Sequence, residues 1–222
     1  MNRPIKATPG SDSGVAFPGW LKALAILFVS VFIPSHWHYS GPVNFLWLSD
    51  VGLFGMVLAL LLGSRLLASM MLLATLLLDG VGWNVDFIVA CLTGWHPLHA
   101  TAYMFDSQVP GLIRALSVFH PLVPALLVWM VSRLGYDTRA LAAQSLLTCV
   151  LFPLTWLITD PGRNINWVYG PGQPQSLVPG WLYLLAMILG VPILFYLPVH
   201  WLLRKADWDR RGPFRRFGIP RG

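Results

Sequence analysis

Long apolar runs, separated by short polar or Gly- and Pro-rich stretches, dominate this chain. A helix that crosses a bilayer needs roughly 20 apolar residues, fewer where it tilts or is covered by neighbours. Six segments meet that requirement, at about 17–35, 43–63, 66–82, 110–132, 139–159 and 180–203. Between the third and fourth lies "VGWNVDFIVACLTGWHPLHATAYMFDSQ". Its apolar centre, Phe87 to Leu92, is too short to cross and reads as a re-entrant or interfacial helix. A crossing there would make seven spans. The Pro- and Gly-rich "TDPGRNINWVYGPGQPQSLVPG" predicts a long loop of turns before the last span, with Trp and Tyr favouring order. The pattern therefore predicts an all-α, six-span transmembrane helical bundle over 17–203, with tails at 1–16 and 204–222.

Composition strengthens the membrane reading. Of 222 residues, 56% are hydrophobic and 11% charged, and the mean hydropathy is +0.63. A water-soluble domain cannot hide that much apolar surface. Eleven Trp and six Tyr suit interfacial belts. Cys91 and Cys149 lie in separate apolar segments and read as small core residues. The net charge of +6 has a topological explanation. With both termini cytoplasmic, thirteen of the fifteen Lys and Arg fall on one side, and only Arg114 and Arg163 fall outside. This predicts a bacterial inner-membrane protein. The tail "RKADWDRRGPFRRFGIPRG" reads as a basic anchor for anionic membrane lipid rather than a nucleic-acid arm. The first span reads as a retained signal-anchor, because "FIPSHWHYSG" has no small-x-small cleavage site.

All nine acids are Asp, and with that topology the polar residues gather toward one side. His36 and His38 follow the first span; Asn44, Ser49 and Asp50 enter the second from outside. Asp79 ends the third span, and Asn84, Asp86, His96, His99 and Asp106 occupy the outer connection. His120 enters the fourth span, while Asp160, Asn164 and Asn166 begin the last outer loop. The inner half reads as apolar apart from His200 and Gln144. An outward-facing polar pocket would produce this asymmetry. At 1.5 Å per residue Ser49 lies roughly 9 Å and His120 roughly 15 Å below the outer boundary, close enough to share a level. An Asp within a span costs on the order of 3 kcal/mol to insert and needs a partner, with Arg114, His120 and His38 available.

Several chemistries fit these residues. "HWH" sets His36 and His38 on one side of an extended segment, and "HPLH" sets His96 and His99 one helical turn apart. Together with Asp they make a candidate site for a divalent metal such as zinc or iron. A haem needs axial His on facing spans, and only His120 lies well inside. The reading without a cofactor is a Ser/His pair. Ser49 would be the nucleophile and His120 the base, with Asp50 or Asp79 orienting the imidazole. Against it stands the ordinary behaviour of Ser in a helix, whose hydroxyl bonds back to a carbonyl one turn earlier.

"FLWLSD" before an apolar run, "SVFHP", and "NINWVYGPG" before the last span resemble, in that order, motifs of the YwaF-like integral membrane proteins. The resemblance covers about residues 43–175. It implies kinship with intramembrane Cys/His acyltransferases and with a similar six-span group of Thr/His lipid hydrolases. Carried over, Ser49 takes the nucleophile position, Asp50 the acid after it and His120 the general base. Ser49 stands where the family has Cys, and Trp47 where it has His, so thiolate chemistry is lost.

The leading expectation is acyl transfer or hydrolysis on a lipid-like substrate. Asn84, Asn164 and Asn166 would offer oxyanion donors, with Arg114 nearby for substrate. Two other classes stay open. One is a non-catalytic accessory subunit with membrane-protein partners or a homo-oligomer. The other is a small-molecule transporter, which predicts polar residues in both halves and helices interrupted at mid-depth.

Overall fold

The computed structural model describes residues 16–206 and is all-helical among them. Five helices are long and apolar enough to cross a membrane, which marks the chain as a membrane protein. We label six helices: α1 Gly19–Ser40, α2 Leu48–Leu62, α3 Arg65–Thr93, α4 Gly111–Leu134, α5 Ala140–Ile158 and α6 Gly180–Lys205. α2 is the shorter one. Of the expected segment 43–63, Pro42–Leu46 forms a 3₁₀ turn, and 15 residues remain for the α-helix, about 22 Å of rise. The expected tails lie outside the described residues apart from 16 and 204–206.

The helices run alternately up and down. One end of the bundle is rich in loops, at 41–47, 94–110 and 159–179. The other holds two tight turns. There Gly63 (φ 65°) ends α2 in the left-handed region, and Ser64 accepts the Leu67 N–H to start α3. Of the eight described Lys and Arg, six lie at this tight-turn end: Lys22, Arg65, Arg133, Arg139, Arg204 and Lys205. Lys22 donates from α1 to the Leu61 carbonyl, 3.1 Å, placing a cation at the negative end of α2.

α3 is the spine. It packs on α2, α4 and α5. The α2 contact is close because Gly52 and Gly55 face it. A Cβ on Gly52 would come within 2.5 Å of Thr75 Cγ2, and one on Gly55 within 2.3 Å of Met71 Sδ. Small residues that let helix backbones approach replace the hydrophobic driving force that lipid does not supply. α1 is peripheral. It is pinned by Phe32, whose ring meets Phe54 of α2 at 6.1 Å and Phe119 of α4 at 5.3 Å. Trp20, Leu24, Leu27 and Val31 stay exposed along its opposite side.

Two sequence expectations change here. The segment expected as a separate re-entrant or interfacial helix continues α3, which is 29 residues long. Its two α-helical parts, Arg65–Thr75 and Asn84–Thr93, are joined by a π-helical stretch, Leu78–Trp83. Asn84, whose polarity suggests a break, instead bonds back to the Asp79 and Gly80 carbonyls at 3.0 and 3.1 Å. It thereby satisfies the backbone that the wider turn disturbs. The second concerns the cysteines. Cys91 and Cys149 are both free and exposed on the outside of the bundle rather than in its core.

Candidate functional site

α2 and α3 each bring a carboxylate toward the loop-rich end. Asp50, in the first turn of α2, is 4% exposed and accepts one hydrogen bond, from Asn44 Nδ2 at 3.3 Å. Asp79 sits in the π-helical stretch of α3, at mid-helix rather than at its end. The two carboxyls lie within electrostatic reach of each other. Neither has an ion-pair partner among the described residues. Arg114, expected as a cation for this site, reaches the Met104 carbonyl instead, at 3.4 Å. Tyr103, from the loop after α3, completes the roof. Its hydroxyl accepts from Trp83 Nε1 at 3.3 Å, and burial pushes its phenol up from the ordinary tyrosine range.

From α4, His120 packs beside Trp83, the residue that donates to Tyr103. Its ring lies against Trp83, with centroids 4.8 Å apart and planes 8° apart, and against Phe119 at 4.1 Å. Its Nδ1 is 2.8 Å from the Ser117 carbonyl. A carbonyl only accepts, so Nδ1 carries the hydrogen, and Nε2 of the neutral ring is left as an acceptor. The expected orienting role of Asp50 or Asp79 therefore passes to a backbone carbonyl. His36 of α1, buried and bonded to the Phe32 carbonyl, lies within electrostatic reach of His120.

Ser49 stands at the head of the buried stripe of α2 that continues through Leu53, Met56 and Leu60. The hydroxyls of Thr75, Ser117, Thr148 and Thr155 all bond to carbonyls one turn earlier. Ser49 makes no such bond, since the residues one turn before it belong to the 3₁₀ turn. No hydrogen bond joins Ser49 to His120 among the described residues.

The chain matches no family model, no curated protein and no solved structure.

The asparagines expected as oxyanion donors are occupied by the scaffold. Asn166, left-handed at φ 54°, accepts the Leu48 N–H at 2.7 Å and donates to the Leu46 carbonyl at 2.7 Å. One side-chain amide thus bridges the break before α2. Asn164 folds its own loop, donating to the Gly170 carbonyl and accepting the Tyr169 N–H. Asn84 is held as described above. A depression of ≈ 400 Å³ opens at this end between Tyr39, Ser40, Asn44, Trp47, Arg163 and Ile165. Asn44 lies between it and Asp50.

The histidines do not assemble as a metal site. No group of three or more His, Cys, Asp or Glu is placed to hold an ion among the described residues. "HWH" belongs to the last turn of α1, not to an extended segment. Residues two apart on a helix point apart, so His36 is buried and His38 exposed. His96 and His99 have ring centroids 6.4 Å apart. Beside them Asp86, fully buried, accepts the Leu98 and Thr101 N–H groups and the Thr101 hydroxyl at 2.6–2.8 Å. It holds the loop after α3. Sequence reasoning missed Trp83, Tyr103 and Ser117, because aromatic and hydroxyl residues in apolar surroundings carry no periodic signal that sets them apart.

Proposed function

We propose that the chain is a six-crossing bacterial inner-membrane protein, with α2 as a short crossing and the loop-rich end outside. Its outward pocket performs acyl transfer or hydrolysis on a lipid-like substrate. The observation that carries this reading is the tautomer of His120. A neutral imidazole whose Nδ1–H is held by a carbonyl presents Nε2 as a base, and its neighbour Trp83 leads through Tyr103 to the two carboxyls. Ser49 supplies the nucleophile: it directly precedes Asp50, and no backbone carbonyl has claimed its hydroxyl. Its attack on an ester carbonyl transfers the hydroxyl proton to Nε2, and the imidazolium returns it to the departing alcohol. With the three asparagines occupied and the Leu48 N–H held by Asn166, the oxyanion falls to the Ser49 and Asp50 N–H groups at the start of α2, which lack partners within the helix. The resemblance to the YwaF-like proteins and their acyl-transferring kin points the same way.

The test is covalent labelling of the detergent-solubilised protein by a lipid-like fluorophosphonate. The parent labels, while Ser49→Ala and His120→Gln each lose labelling and keep a folded bundle. Labelling that survives Ser49→Ala removes the nucleophile and the mechanism with it. A small-molecule transporter is the second reading. It is favoured by π-helical interruptions in two helices, Leu78–Trp83 in α3 and Pro192–Tyr196 in α6.

A further inference from the structure

The half of the bundle toward the tight-turn end is not apolar. Besides His200 and Gln144 it buries Ser69, Tyr136, Thr148 and Tyr196, and most of these form a column. Its upper end is Asp79, within electrostatic reach of Tyr196 on α6. The Tyr196 hydroxyl, fully buried, shares a hydrogen bond of 2.9 Å with Thr148 of α5. One turn before Thr148 is Gln144, at 0% exposure; its side chain lies beside the Tyr196 hydroxyl, and neither amide atom makes a well-formed hydrogen bond among the described residues. One turn after Tyr196 on α6 is His200, also buried, whose Nδ1 meets the Tyr136 hydroxyl at 2.6 Å. Tyr136 belongs to the turn between α4 and α5, beside Asp137 and Arg139 and within reach of Arg65 and Arg204.

Gln144 decides how the column is read. An amide buried without partners costs several kcal/mol in an apolar medium, and lipid offers it nothing. A site lined by an unpaired amide, a threonine and a tyrosine is polar enough to hold water, which needs 2–4 partners. We infer that Asp79, Tyr196, Thr148, water held at Gln144, His200 and Tyr136 form a proton path. It links the carboxylate pair near the loop-rich end to the opposite face of the membrane. Each group passes one proton forward and takes one from behind. Each hop breaks one O–H or N–H bond and forms the next, every group ends with the protons it began with, and one proton crosses per cycle, driven by a pH difference. This inference does not use Ser49, so loss of fluorophosphonate labelling and loss of proton movement are separate outcomes.

The test uses the full chain in liposomes holding a pH-sensitive dye, with valinomycin and potassium compensating charge. After an acid jump the parent liposomes acidify faster than protein-free ones. Tyr196→Phe removes one oxygen and Gln144→Leu removes the unpaired amide. Each lowers the protein-dependent rate about tenfold or more. Leu146→Ala, on the exposed side of α5, leaves it unchanged. Gln144→Leu also holds or raises the thermal midpoint in detergent, opposite to the loss a merely structural glutamine would give. Two results overturn the inference: parent liposomes no faster than protein-free ones, or Tyr196→Phe or Gln144→Leu conducting like the parent.

Discussion

Asp137 shows how one side chain fastens the tight-turn end. It is buried, its N–H donates to Ser69 Oγ at 3.0 Å, and its carboxylate takes the Arg139 guanidinium at 2.8 and 3.1 Å. Those hydrogen bonds from Arg139 hold the carboxyl below the usual aspartate range, against the opposing effect of burial. A depressed folded value stabilises the fold above the unfolded pKa of about 4 and loses that contribution as pH falls through the folded value. Asp137→Asn therefore lowers the thermal midpoint near neutrality, and the difference from the parent closes below about pH 4. The Arg139 side chain is 76% exposed, so solvent screens the pair and added salt narrows the gap. A pH-independent difference would place the effect elsewhere. At this scale the sequence tells which end holds a polar residue, but not its partner. Asn166 was legible as a polar residue beside the site. Its role is set by backbone groups 118 and 120 positions away, and nothing near it in the chain marks them.

At the scale of elements, the apolar runs locate the long helices to within a few residues. They fail where a helix carries polar residues that its own structure satisfies. Asn84 and Asp86 cut the run after 82, so α3 reads as a span followed by a separate short helix. Asn84 is returned to α3's own backbone, and Asp86 is matched by loop N–H groups. Neither break is real. The α2–α3 seam was not legible, because glycines in an apolar run do not say what they approach. It yields an asymmetric prediction. At Gly52 an added methyl meets Thr75, a β-branched side chain tied by its hydroxyl to the Met71 carbonyl at 2.9 Å. At Gly55 it meets the thioether of Met71, an unbranched chain that can move aside. Gly52→Ala thus destabilises by about 1–3 kcal/mol, as overpacking does, and Gly55→Ala by clearly less. Thermal unfolding in one detergent reads both, and the reverse order would contradict the packing described.

For the whole molecule, exposed tryptophans supply a ruler. Trp20 and Trp37 are exposed near opposite ends of α1, and Trp181 and Trp201 near opposite ends of α6. At 1.5 Å per residue the first pair spans about 26 Å and the second about 30 Å, which agrees with a hydrocarbon core of about 30 Å. Two belts a bilayer apart are what amphipathic rings at both interfaces produce. The belts set the depth of the bundle but leave its direction open. The direction proposed above rests on the cations, six of eight described ones lying at the tight-turn end, because an excess of Lys and Arg favours the cytoplasmic side. Single-cysteine labelling in intact cells checks it, with Cys91 and Cys149 replaced by Ala. Ser107→Cys, in the exposed loop after α3, reacts with a membrane-impermeant maleimide from outside. Thr138→Cys, exposed in the turn between α4 and α5, reacts only after the membrane is opened. The opposite pattern would turn the molecule over. Asp50, Asp79 and His120 would then open to the cytoplasm, and a substrate would have to reach them from the inner leaflet.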